Sequence, residues 1–451
     1  MKFSSRFILS FLVAAFFSAC KPNLDIPEPS AGDANFLKSI AVGGNYMAGY
    51  QDGALYRDGQ VRSIPALLAR QFALAGGGEF GQILFADNEG LGWNGKPWES
   101  WFAKASRLNY RYDCEGTRSL GPVKDSLSRN AGLLLAGNDH SPSNCNFAVP
   151  FARTAELFSP LLSANPGNNY ANPFFHRIAV TPGTSTAISD ARNANATFFT
   201  AWLGMEDIYE YARRGGEGTT IMPAAAFSIY LDSVFTSLTA NGAKGCIANI
   251  PDFRNFPYYT LIPWNGAELT ASKADSLTDI YETAGLTHIV FQEGANGFVI
   301  NDANAPAGVR QIHTGEYITL SVPLDSMKCD FLGILFAVLP DQYVLDSSEV
   351  AFIEQMTASY NAIIAQKAQQ YGLAHVNANS YFNSVRAGIK WNGVDFNTEF
   401  VSGGFFSLDG YHPNQNGYAL LTNEFIKAIN LKFNATVPTL NCTDCNGVLF
   451  P

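Results

Sequence analysis

Two residues near the end of the chain could do chemistry together. In the stretch FSLDGYHPNQNGYA, Asp409 stands three residues before His412, with Pro413 next and a helical pattern following. A carboxylate at that spacing on a tight turn can hold an imidazole by its Nδ1–H and leave Nε2 aimed at a reacting group. The same pair could equally cap the helix and fix a loop. A second candidate lies near the start. There the apolar residues 39–42 break into Gly43-Gly44-Asn45-Tyr46-Met47-Ala48-Gly49. A strand that ends in a glycine-rich turn is where α/β enzymes often place a nucleophile. This turn holds no Ser, Cys or Thr.

The elements that must position these residues can be read from hydrophobic periodicity. Strand-like apolar runs recur at residues 38–43, 145–149, 197–203, 244–250 and 373–377. Helical patterns separate them: SIPALLARQFALAG, MPAAAFSIYLDSVFTSLTA, SSEVAFIEQMTASYNAIIAQKAQQYG and NGYALLTNEFIKAINLKF. Alternation of this kind predicts a parallel sheet covered by helices on both faces, with ligands at the carboxyl ends of the strands. Connections at about 75–145, 160–195 and 253–345 are too long for turns and read as ordered insertions. Neither repeats nor a second domain are visible.

With those blocks in place, the sequence resembles the SGNH (GDSL-type) hydrolases, and within them a Bacteroidetes-type lipoprotein branch. The family's first block reads like G-N-S-L-T-A-G-Y-x-D-G-A-L-Y and its last like F-S-L-D-G-x-H-P-x-x-x-G-Y-A. Here GGNYMAGYQDGALY and FSLDGYHPNQNGYA follow those frames, with NFAVPFART, FFTAWLGMED and GAKGCIANIPD between them in family order. The resemblance covers nearly all of the chain after residue 36. It implies an α/β fold, a three-layer α/β/α sandwich whose central parallel sheet has flavodoxin-like order.

It also implies where the catalytic groups belong, one position at a time. The family nucleophile is the Ser after a Gly-Asn/Asp pair; this chain has Gly44 and then Asn45. The family Gly whose N–H points at the oxyanion becomes Phe151. The oxyanion Asn of G-x-N-D becomes Glu206, in Gly204-Met205-Glu206-Asp207. Only Asp409 and His412 keep the family residues, so the resemblance implies a degenerate site, a pseudoenzyme. One expectation is a polar cluster in which the Asn45 amide donates to His412 and Glu206 accepts from it, with Phe151 in the place of a substrate carbonyl. Altered acid–base chemistry, or a divalent cation on Glu206, Asp409 and His412, are the competing readings; no cofactor and no metal are expected. The alternative function is an esterase or acetyl-esterase acting on lipid or glycan esters, in which Ser407 or Tyr46 replaces the missing nucleophile. The G-N-D look-alike Asn138-Asp139-His140 precedes the second block and is set aside.

The remaining signals concern location and partners. Lys2 and Arg6, an apolar core from residue 7 to residue 17, and Phe17-Ser18-Ala19-Cys20 resemble a bacterial lipoprotein signal. Residues 1–19 are then a signal peptide, Cys20 carries the lipid, and 20–36 form a tether. Residues 37–435 form the hydrolase-like domain and 436–451 a tail. The expected location is the cell envelope, anchored by lipid to the outer membrane. Partners would be that membrane and a glycan, a lipid or an outer-membrane protein. A net charge of −10 over 451 residues excludes a nucleic-acid surface. An export context favours disulfides among Cys114, Cys145, Cys246, Cys329, Cys442 and Cys445. The Cys442-x-x-Cys445 pair is expected as a structural disulfide, Cys246 in a strand and Cys329 in a loop. Aromatic residues in GWNGKPWESWFAKASRLNYRY could line a sugar or acyl site.

Overall fold

Four strands form a parallel sheet: β1 (Ser39–Gly43), β2 (Phe198–Trp202), β3 (Lys244–Ala248) and β4 (Ala374–Val376), in that spatial order. The computed structural model describes residues 28–93, 102–124, 128, 139–165, 168–335 and 337–451. Ser39 pairs with Phe198 and Gly43 with Trp202, while Phe198 pairs with Lys244 and Cys246 with Ala374. Every residue of β1 and β2 is buried. That is why these strands read as unbroken apolar runs rather than alternating ones.

The 145–149 run lies beside β1, but it is a single parallel bridge (Ala41 to Asn146) rather than a regular strand. Three backbone bonds hold it there: Ala41 N–H to the Cys145 carbonyl, Phe147 N–H to that of Ala41, and Val149 N–H to that of Gly43. Its asparagines compete with the ladder. Asn146 Oδ1 accepts from Ala148 N–H, and Asn144 Nδ2 donates to the Asn146 carbonyl. Counted in chain order with this run as the second, the sheet is ordered 2-1-3-4-5, the flavodoxin-like arrangement.

The helices that matter are α1 (Asn45–Ala48, one turn), α2 (Ile64–Leu74), α3 (Met205–Ala212), α4 (Ala224–Thr239), α5 (Ser347–Gln370) and α6 (Gln415–Phe433). Adjacent residues on a strand point to opposite faces. Phe198 meets Phe72 of α2 and Phe433 of α6, whereas its neighbour Phe199 meets Phe235 of α4. Phe227 of α4 stacks on Tyr360 of α5. So α2 and α6 cover one face and α4 and α5 the other, a three-layer α/β/α sandwich. Local signals start the long helices where they do. Asp346 and Glu349 form a capping box on α5, and Asn414 accepts from Gly417 N–H at the head of α6.

The insertion after β3 carries two small apolar clusters of its own, one around Ile300, Ile318 and Leu339, the other around Leu277, Tyr281 and Phe291. Its helix Leu324–Cys329 is joined by a Cys114–Cys329 disulfide to the hairpin Arg107–Tyr112/Arg118–Val123. Cys329 thus ends a short helix rather than sitting in a loop. Cys145, Cys246, Cys442 and Cys445 are free and buried. The expected Cys442–Cys445 disulfide is absent because the two thiols serve different partners. Cys442 Sγ accepts from Asn423 Nδ2 at 3.6 Å, and Cys445 Sγ from Arg62 at 3.7 Å. Cys20, Lys2 and Arg6 lie outside the described residues, as do Trp98 and Trp101 of the aromatic stretch.

Candidate active site

The carboxyl ends of β1, β2 and the 145–149 run converge on one place, where five of the singled-out residues sit in two groups. The first group is the Asp409/His412 turn. His412 Nδ1 lies 2.8 Å from Asp409 Oδ2, which also accepts from Gly53 N–H at 2.8 Å. Asp409 Oδ1 accepts from Ser407 Oγ and from the Tyr411 and His412 N–H groups, at 3.1, 2.9 and 2.8 Å. Burial pushes the Asp409 carboxyl up, but attraction to His412 and these hydrogen bonds outweigh it and hold the group at about 2. Asp52 braces the turn from the other side. Its N–H donates to Ser407 Oγ, and its carboxylate accepts from Leu408 N–H and the Tyr56 hydroxyl. Burial raises Asp52 to about 6 against those bonds. Sequence reasoning missed Asp52 as a site residue, although it stands inside the quoted frame GYQDGALY.

The second group is Asn45, Phe151 and Glu206. Asn45 N–H donates to Glu206 Oε1 at 3.2 Å, and Asn45 Nδ2 to Glu206 Oε2 at 3.4 Å. Asn45 Oδ1 accepts from Phe151 N–H at 2.9 Å. The Asn45 amide therefore serves Glu206 and Phe151; it does not donate to His412, contrary to the sequence expectation. The amide reaches the carboxylate first because α1 and α3 start at the ends of neighbouring strands. Gly44 makes this possible: a Cβ there would lie 2.7 Å from Glu206 Cγ and Oε1. Burial raises the Glu206 carboxyl to about 7, opposed by Arg213 and by the Asn45 N–H.

Phe151 has φ +64°, the left-handed region that a side chain occupies at a cost. Its ring packs edge-on against Tyr50 and Trp93, with centroids 5.0 and 5.5 Å away, and the Arg213 guanidinium lies over it. Tyr50 in turn covers the His412 ring at 5.0 Å. His412 Nε2 is buried and makes no hydrogen bond among the described residues. Among the described residues no hydroxyl bonds to it. Ser407 Oγ is tied to Asp409 on the Nδ1 side, and the Tyr46 hydroxyl donates to the Tyr411 carbonyl at 2.8 Å. The look-alike block does something else: Asp139 pairs with Arg177 at 2.6 Å, and Asn138 lies outside the described residues.

Glu206, Asp409 and His412 do not form a ligand set, since Asp409 is enclosed by N–H and O–H donors while Glu206 faces Asn45. What the arrangement can do chemically is limited. One half is an Asp–His pair bonded at Nδ1 and unpartnered at His412 Nε2 among the described residues. The other is a carboxylate–amide–backbone chain of Glu206, Asn45 and the Phe151 N–H.

No family model matches the sequence, and no curated protein matches it. Among solved structures, a protein described as a GDSL-like lipase from Parabacteroides merdae shares 10% identity. The match covers 89% of this chain and 100% of that one, with a TM-score of 0.35. An extracellular lipase from Streptomyces rimosus shares 12% identity over 87% of this chain and 98% of its own, with a TM-score of 0.34. Likeness at that level bears on neither activity nor substrate; the fold described above rests on the sheet itself.

Proposed function

We propose that this chain is an SGNH-type hydrolase-fold protein whose ester-hydrolysing centre is closed, acting in ligand binding or as a scaffold in the cell envelope, held there by lipid on Cys20. One observation carries the reading. The residues at the nucleophile position, Asn45, and at the two oxyanion positions, Phe151 and Glu206, are spent on one another: Asn45 N–H and Nδ2 bond Glu206, and Phe151 N–H bonds Asn45 Oδ1. The Asn45 amide has no proton to give up near neutral pH and cannot form an acyl-enzyme. Loss of a triad nucleophile costs on the order of a millionfold in rate in a serine protease. Loss of one oxyanion donor costs roughly 2.7–4 kcal/mol more. An ionised Glu206 opposes a nearby oxyanion by about 4 kcal/mol at 4 Å and an effective dielectric of 20.

The test is hydrolysis of short-chain nitrophenyl esters by the purified chain, beside His412→Ala and the triple variant Asn45→Ser/Phe151→Gly/Glu206→Asn. The natural chain is expected to be silent and the triple variant active. Activity in the natural chain that disappears with His412→Ala would overturn the reading.

A further inference from the structure

We propose that the cleft lying directly over Phe151 binds a neutral saccharide. This rests on the closed-centre reading above, in that the ligand is held there and not cut. The cleft encloses about 290 Å³, and Phe151 forms part of its wall together with Trp93 and Tyr170. Trp93 is set by its own backbone, whose N–H donates to the Tyr50 hydroxyl at 3.2 Å. That places an indole beside the ring that closes the old centre. Tyr170 stands at the rim, 72% exposed, a large aromatic face offered to solvent.

The wall chemistry selects among ligand classes. An acyl chain would need an aliphatic lining, and among the described residues the cleft offers Leu162 and Ala171. A phosphate or carboxylate would need an unmatched cation. The two arginines on the wall are already engaged, Arg153 by Glu156 at 2.8 Å and Arg214 by Glu210 at 2.7 Å, a carboxylate it shares with Arg213. What remains is a wall of planar hydrogen-bonding groups, each arginine already held by a carboxylate, beside aromatic rings. A pyranose fits that combination, because its C–H face packs on an aromatic ring while its hydroxyl rim needs donors and acceptors without net charge. The Thr219 hydroxyl, 3.4 Å from Arg153, extends the polar side.

The experiment is a printed array of neutral and acidic oligosaccharides probed with the purified full chain, beside Tyr170→Ala and Trp93→Ala, with calorimetry on the strongest neutral hit. Retention of neutral oligosaccharides is expected, weakened roughly tenfold by Tyr170→Ala, the scale of one lost ring contact. Because Tyr170 is largely in solvent, its removal leaves the melting curve of the chain unchanged and the loss cannot be put down to unfolding. Silence across the array, retention of acidic glycans alone, or neutral binding indifferent to both substitutions would each overturn the proposal. The ester assay reads the other reading separately: hydrolysis by the natural chain would topple the closed centre and leave the array result standing.

Discussion

In the Asp409/His412 half of the site the carboxylate is saturated with donors, while His412 Nε2 makes no hydrogen bond among the described residues. In the other half the Asn45 and Phe151 N–H groups are spent on Glu206 and Asn45. The difference teaches what the Asp–His pair does in this molecule. Asp409 accepts from five donors on two segments, residues 407–412 and Gly53, and so fastens the last loop to the first. An Asp–His pair can therefore carry structural work of its own, whatever chemistry it does or does not support.

The sharpest break in that comparison is removal of the fastener. Asp409→Ala strands several buried N–H groups and should cost about 3–5 kcal/mol in urea unfolding. A loss below about 1 kcal/mol would deny Asp409 its structural role. The Asp409 carboxyl also has a pH signature. Its folded pKa of about 2 lies below the ordinary 3.8, so about 2.5 kcal/mol of stability is present above pH 4 and lost as pH falls through 2.

Glu206 should show the opposite sign. Its folded pKa of about 7 lies above the ordinary 4.5, so the folded state binds the extra proton between those values. Stability from this group is complete below pH 4.5 and falls as pH rises to about 7, by up to about 3 kcal/mol. Glu206→Gln should flatten that slope when melting is followed from pH 5 to 8. An unchanged slope would place the titration elsewhere.

The smallest effect concerns Phe151. In most positions a Gly variant is less stable than an Ala variant. At φ +64° the order should invert, with Phe151→Gly more stable than Phe151→Ala by about 1 kcal/mol. Equal or reversed stabilities in chemical denaturation would mean that the backbone there relaxes in solution.

Much of this architecture was legible in the sequence, because buried parallel strands and amphipathic helices leave opposite periodicities. Four of the five apolar runs became regular strands. The fifth did not, since Asn144 and Asn146 draw the backbone bonds of 145–149 to themselves. The site was legible only as a set of positions. Nothing in a linear pattern says that Asn45 would prefer a carboxylate from α3 to the ring of His412, or that Phe151 would keep a glycine's dihedral angle. Long-range covalent links were equally opaque: Cys114 found Cys329 across 215 residues. The Cys442 and Cys445 thiols, three residues apart, took neighbours of their own.

The missing Cβ at Gly44 ties two distant positions of the chain to one another. With Glu206 in place, a Cβ at position 44 would lie 2.7 Å from its Cγ and Oε1, so any side chain there would push the carboxylate from its seat. What position 44 can hold is therefore decided by what stands at 206, and substitutions at the two sites are not independent.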